Sequence, residues 1–272
     1  MRGLIVTADD FGLHERVNAA VARAHRDGVL TCASLMVGAS AAHDAVKIAR
    51  DLPDLRVGLH IVLADGPAVL PYASIPALVD ENGRFADRMV RDGFRFFFLP
   101  EVRRQLAREI RAQFEAFAAT GLALDHVNTH KHFHPHPTVL SMILDIGREF
   151  DMRAIRLPFD TGAPLALRPW IALMRARLAR AGIAHNDRVY GMTASGAMDT
   201  ATMLQALTHL PPGVTEIYCH PATPADAPIT ASMRDYRHAD ELDALLSPRV
   251  AAAIASANLV CGGFADLFPS PT

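Results

Sequence analysis

Short β-rich runs alternate with longer segments of helical period along nearly all of the 272-residue chain, and this alternation limits the possible folds more than any other feature. Runs from Leu4 to Ala8, Cys32 to Val37, Val57 to Val62, Leu124 to Thr129, Ala154 to Leu157, Thr215 to Cys219 and Leu259 to Cys261 read as strands. Between them, Glu15 to Arg26, Ala41 to Arg50, Glu101 to Ala119, Thr138 to Phe150, Leu167 to Ala181, Thr200 to Leu210 and Asp240 to Ala257 read as helices. Strands that alternate with helices pair in parallel through crossovers, giving a closed barrel or an open doubly wound sheet. The first strand leads into Ala8-Asp9-Asp10-Phe11-Gly12, where a dinucleotide-binding sheet would carry a Gly-rich phosphate loop. The expectation is an irregular, seven-stranded TIM-like α/β barrel. No linker divides residues 1–272, so one domain is expected, with a long insertion at about 65–100 marked by Gly66-Pro67, Pro71, Pro76 and Asn82-Gly83.

Twenty-seven basic against 29 acidic residues leave a formal charge of −2, which gives no global reason to expect nucleic acid as a partner. Cys32, Cys219 and Cys261 are far apart and form no CxxC pair, so neither a disulfide framework nor a thiolate zinc site is indicated. A cytoplasmic setting is expected. The apolar stretch before Asp9 is too short for a signal peptide, and no run approaches the roughly 20 apolar residues of a membrane span. Two segments bear on peripheral membrane contact at the inner face. Phe94-Arg95-Phe96-Phe97-Phe98-Leu99 could be a lid over the site, a bilayer contact or insertion core, and the basic amphipathic helix from Trp170 to Arg180 could rest on an anionic membrane or cover the barrel. Association as a homodimer is left open.

The unusual polar residues collect at the C-terminal ends of the expected strands, the catalytic face of parallel α/β folds. Asp9 and Asp10 end the first strand, His60 follows Gly58-Leu59, His130 follows Asn128-Thr129, Arg156 closes a fifth strand and His220 follows Tyr218-Cys219. Side chains alternate along a strand, so an acidic pair at its end can send one carboxylate to a metal and the other to a water or substrate. A helix cap would explain one aspartate but does not require two. In extended chain His126, Asn128, His130, His132 and His134 share one face. Imidazoles beside a carboxylate suit a divalent ion, zinc, another first-row transition metal or magnesium, rather than calcium. An open site needs about three protein ligands. His130 is assigned to the metal, with His132 and His134 left to outer contacts or to substrate. Arg156 could hold Asp9 ionised, and His220 sits where a proton donor could reach a leaving group.

Together these residues resemble the YdjC-like carbohydrate deacetylases. The matching segments are Thr7-Ala8-Asp9-Asp10-Phe11-Gly12 with Asn18, Gly28-Val29-Leu30-Thr31, Gly58-Leu59-His60, Asp125-His126 leading to His130-Lys131-His132-Phe133-His134, and Cys219-His220-Pro221-Ala222. The resemblance implies a divergent barrel related to polysaccharide deacetylases, with Asp10, His60 and His130 as metal ligands, Asp9 as base and His220 as acid. Glu101-Val102-Arg103-Arg104-Gln105-Leu106, Gln113-Phe114-Glu115-Ala116-Phe117 and the Lys131 and Phe133 positions resemble the hopanoid-associated branch, which implies an N-acetylglucosaminyl hopanoid glycolipid as substrate. Chitooligosaccharide members more often carry His-His-His-Val-His in that segment. Three other readings stand beside this one: deacetylation of soluble N-acetylated oligosaccharides, ester or phosphoester hydrolysis, and a non-catalytic sugar- or metal-binding protein.

Overall fold

The first strand, β1 (Arg2–Phe11), is buried from Gly3 to Phe11, as a strand covered by neighbours and helices must be. One edge pairs in parallel with β6 (Gly213–Cys219), from Arg2 opposite Gly213 to Ala8 opposite Cys219. The other edge is shared by β2 (Cys32–Leu35) at its C-terminal half and β7 (Val260–Cys261) at Gly3 and Leu4. With β3 (Arg56–Ile61), β4 (Val127–Thr129) and β5 (Arg188–Tyr190), the parallel sheet runs β4-β3-β2-β1-β6-β5. The computed structural model describes residues 2–160 and 168–269. Within them the fold is α/β, with a curved, parallel half-barrel sheet.

The expected strand from Ala154 to Leu157 makes only isolated parallel bridges, Val127 to Ile155 and Ala154 to Ala184. The strand on the other edge of β6 is β5, which sequence reading missed because Arg188–Tyr190 is only three residues long. Between these segments the Asn186 amide stands in for backbone. It accepts from the Leu157 N–H at 2.7 Å and donates to the Leu157 and Arg188 carbonyls at 2.9 Å each.

Helices α1 (Glu15–Asp27), α2 (Ala42–Arg50), α3 (Met89–Phe98), α4 (Pro100–Ala119), α5 (Pro137–Gly147), α6 (Arg168–Ala181) and α7 (Thr200–Thr208) precede α8 (His238–Leu246), α9 (Pro248–Ser256) and the short α10 (Phe264–Leu267). The single helix expected from Asp240 to Ala257 is two, because Pro248 has no N–H to donate and Ser247 before it is extended at ψ 121°. Helix α6 buries Ile171, Met174 and Leu178, while Arg175 and Arg177 bond to Asp187, Pro137 and Ser141, so its apolar stripe and two of its basic groups serve the fold. Leu167, the expected first residue of that helix, lies outside the described residues.

Helix α4 carries a polar stripe at four-residue spacing that holds the irregular stretch after β3. Gln105 accepts from Ala77 N–H, Glu109 from Val69 and Leu70 N–H, and Gln113 both accepts from and donates to Val62. A loop can pack against a core only if its backbone groups find such partners. Glu109→Ala leaves two N–H groups unpaired and should lower unfolding free energy by about 2–4 kcal/mol in chemical denaturation. Glu109→Gln should cost less.

Candidate active site

The acidic pair does not end β1. Asp10 adopts a left-handed conformation, φ 63°, and the β1–β2 register slips there, with Ala8 opposite Ala33 but Phe11 opposite Leu35. This bulge lets the strand continue to Phe11 while both adjacent carboxylates serve one site. The turn beyond it is secured by Asn18, whose Oδ1 accepts from Gly12 N–H at 2.8 Å.

The structure brings Asp10, His60 and His130 together. Asp10 Oδ1 lies 3.3 Å from His60 Nε2 and 3.0 Å from His130 Nδ1. His60 follows Leu59 on β3, and His130 leaves β4 where Lys131 and His132 turn the chain through left-handed conformations, φ 54° and 52°. That turn corrects the single extended histidine face. His132 Nε2 instead meets Tyr218 Oη at 2.8 Å, and His134 Nδ1 meets Thr129 Oγ1 at 2.8 Å. Lys131 clamps the turn by pairing with Asp65 at 2.9 Å and Asp87 at 2.7 Å.

Asp9 points to another neighbourhood. Arg156 donates to its two oxygens at 2.5 and 3.0 Å, and Asn128 Nδ2 adds a bond to Oδ1 at 3.1 Å. The same guanidinium donates to both oxygens of Glu216, at 2.9 and 2.7 Å, and lies 4.5 Å over the Tyr218 ring. Burial alone would raise the Asp9 pKa, but the charges of Arg156 and His60 and the hydrogen bonds from Arg156 together outweigh it and hold the carboxyl well below the ordinary range. Asp10 is also held low: burial opposes ionisation, and His130 and His60 overcome it. Glu216 and Tyr218 escaped sequence reading, although a glutamate inside the apolar run Val214-Thr215-Glu216-Ile217 shares its strand face with Tyr218 and the following His220.

The donor set fits a divalent cation. Asn128 Nδ2 is committed to Asp9 and Ser34, so its Oδ1, 2.6 Å from His60 Nδ1, accepts from that nitrogen. In its neutral form His60 therefore turns an Nε2 lone pair toward Asp10, and Asp10 Oδ1, Oδ2 and His60 Nε2 have no well-formed hydrogen bond. Two donors about 2.1 Å from one ion lie about 3.0–3.4 Å apart at angles of about 90–110°, which matches the spacings above. Asp9, Asp10 and Glu216 also set three carboxylates against the one guanidinium of Arg156, an excess of negative charge that a divalent ion would balance.

A second group, Cys32, Asp125 and His126, is saturated by hydrogen bonds instead. Cys32 Sγ donates to Asp125 Oδ2 at 3.2 Å, which also receives His126 Nδ1 at 2.9 Å, and Asp125 accepts the Phe264 and Ala265 N–H groups of α10. Burial, reinforced by Asp125, pushes the Cys32 thiol far up, so it keeps its proton.

His220 is buried beside the Tyr218 and Tyr236 rings, and its Nδ1 has no hydrogen-bond partner. Burial lowers its pKa more than Asp10 and Asp9 raise it, so the resting imidazole is neutral at pH 7. Its backbone N–H donates to Glu241, whose carboxyl burial pushes up to about 7.

A model of the family described as YdjC-like protein matches residues 3–256. The chain belongs to the YdjC-like family. A carbohydrate deacetylase of Brevibacillus brevis is 33% identical over 242 residues, covering 89% of this chain and 90% of the relative. A chitooligosaccharide deacetylase of Serratia marcescens is 31% identical over 266 residues, covering 97% and 98%. A solved structure from Enterococcus faecalis V583, assigned provisionally to cellobiose-phosphate cleavage, superposes with a TM-score of 0.80 at 25% identity and covers 98% of both chains. The YdjC-like match spans every strand of the sheet except β7, which begins at Val260.

Two outcomes follow from the buried groups. Arg156→Leu strands Asp9 and Glu216 as unpaired buried carboxylates and should destabilise the fold by about 3–5 kcal/mol in denaturant titration. Glu241 has a folded pKa above its ordinary value, so its contribution to stability is full below about pH 4.5 and is lost as pH rises through about 7. Stability measured from pH 5 to 8 should therefore carry a falling component that is absent in Glu241→Gln.

Proposed function

We propose that this chain is a metal-dependent carbohydrate N-deacetylase, hydrolysing the acetamide of an N-acetylated sugar to acetate and a free amine. The observation that carries the proposal is the unpartnered Asp10 oxygen facing His60 Nε2 and His130 Nδ1 beside an arginine-fixed Asp9. Relatives that align along almost the whole chain carry carbohydrate and chitooligosaccharide deacetylase names.

Asp10, His60 and His130 would hold the cation, magnesium, zinc or another first-row transition metal. When bound, it supplies Lewis acidity, polarising the acetamide carbonyl and making a nearby water easier to deprotonate. Asp9 stays ionised and fixed in orientation, so it accepts the water's proton without reorganisation. Its depressed pKa makes that proton easy to pass on. His220, neutral at rest with a free ring nitrogen, takes up a proton and delivers it to the departing sugar nitrogen. Arg156 acts through Asp9 by holding both of its oxygens.

For the substrate, we propose an N-acetylglucosaminyl hopanoid glycolipid, supported by Lys131 and Phe133 in the histidine segment. No helix among the described residues is long and apolar enough to cross a membrane; in this reading the enzyme meets its lipid substrate from the cytoplasmic side. The unpaired Cys32, Cys219 and Cys261 accord with a reducing compartment.

Metal content and acetate release test the reading together. Asp10→Asn should lose both bound metal and turnover. Asp9→Asn should keep metal at native stoichiometry and lose roughly 10²- to 10⁴-fold in kcat. Chelation should abolish acetate release and a divalent ion should restore it. An active Asp9→Asn enzyme would overturn the base assignment, and no release from any N-acetylated sugar or glycolipid would favour a binding protein.

A further inference from the structure

Helix α3, in the stretch between β3 and α4, leaves an aromatic face without a partner. Phe96 turns into the core, its ring 5.2 Å from that of Phe133, while Phe94 and Phe98 remain 64% and 65% exposed. The rings of Phe94 and Phe98 stack at 6.3 Å, and Phe97 meets Phe98 edge-on at 4.9 Å. Together they border a groove of about 510 Å³ whose opposite wall is formed by His132, Phe133 and His136. A Cβ at Gly93 would sit 3.5 Å from His136, in ordinary van der Waals contact, so a side chain placed there reaches that wall. The volume is that of a small-molecule cleft. Large aromatic rings clustered in solvent mark a surface built to be covered.

His132 joins the groove to the candidate active site. It lines the groove, and its Nε2 is 2.8 Å from Tyr218 Oη, whose ring carries the guanidinium that holds Asp9. None of the lining residues carries a permanent charge, and two imidazoles are the only polar side chains among them. Further sugar rings of an oligosaccharide would find few hydrogen-bond partners here, whereas a hydrocarbon would find carbon on both walls.

We propose that this groove is the aglycone subsite of the deacetylase site, taking the apolar portion of an N-acetylated glycolipid while the sugar reaches Asp9 and Asp10. The inference rests on the deacetylase reading and adds which residues recognise the lipid. A bilayer is the alternative occupant, for which the exposed Arg91 on α3 and Arg88 just before it would supply a basic flank, and vesicle flotation decides between the two.

The test is calorimetric binding of butyl, hexyl and octyl N-acetylglucosaminides, below their micelle concentrations, to the metal-loaded full chain. Affinity should tighten about three- to fourfold per added methylene, the effect of burying hydrocarbon. Two variants probe the groove from opposite sides: Phe94→Ser with Phe98→Ser removes its wall, and Gly93→Leu fills it without removing a contact. Both should flatten the chain-length dependence, and Gly93→Leu keeps the test alive should the double variant fail to fold. A flat dependence in the native chain, or a full one in both variants, would overturn the proposal. So would variants that bind the glycosides normally but no longer float with phosphatidylcholine–phosphatidylglycerol vesicles, which would assign the face to a bilayer. Acetate release from the same glycosides separates the two readings, since chain-length-dependent binding without release would keep the groove and overturn the chemistry.

Discussion

The guanidinium of Arg156 is the interaction on which the site depends. It is fully buried and bonds to both oxygens of Asp9 and both of Glu216. Each carboxylate would be costly to bury alone, and together they are tolerable because one planar cation serves both in bidentate geometry. The arrangement also spans the fold, since Asp9 belongs to β1, Glu216 to β6 and Arg156 to the segment bridged to β4. Electrostatics and sheet curvature are coupled at that point.

Around this centre the backbone accepts uncommon conformations. Asp10, Lys131 and His132 all have positive φ without being glycine. Such conformations persist where the surroundings determine them. Here the surroundings are the β1–β2 bulge and the Lys131 clamp to Asp65 and Asp87. Both serve to aim donors at one point, Asp10 from a strand that continues and His130 from a strand that has just ended.

Much of this architecture is legible in the sequence because hydrophobic period and residue type carry it. The apolar runs of β1, β2, β3 and β6 are long enough to read; His60 lies on β3 and His220 follows β6, while His130 follows the run that ends in β4. What was not legible depends on neighbours distant in sequence. Residues 154–157 have strand-like composition but make only isolated bridges, whereas Arg188–Tyr190 is a strand because β6 offers it an edge. The bulge at Asp10 has no signature in residue type, since aspartate accepts either backbone region. Glu216 was readable as a charge in a buried strand, but its partner became evident only when β6 lay near Arg156. The break at Ser247-Pro248 was present in the letters and was outweighed by the alanine-rich run beyond it.

The polar groups that run along the sheet from Asp9 to Asp125 have one further consequence. His60 donates to Asn128, Asn128 to Asp9 and Ser34, and Cys32 and His126 to Asp125, while His126 Nε2 lies 3.0 Å from the Ser34 hydroxyl. This column links β1, β2, β3 and β4 through side chains beneath the acidic pair. A substitution at Ser34 would therefore reach Asp9 and His60 through Asn128, which bonds to all three.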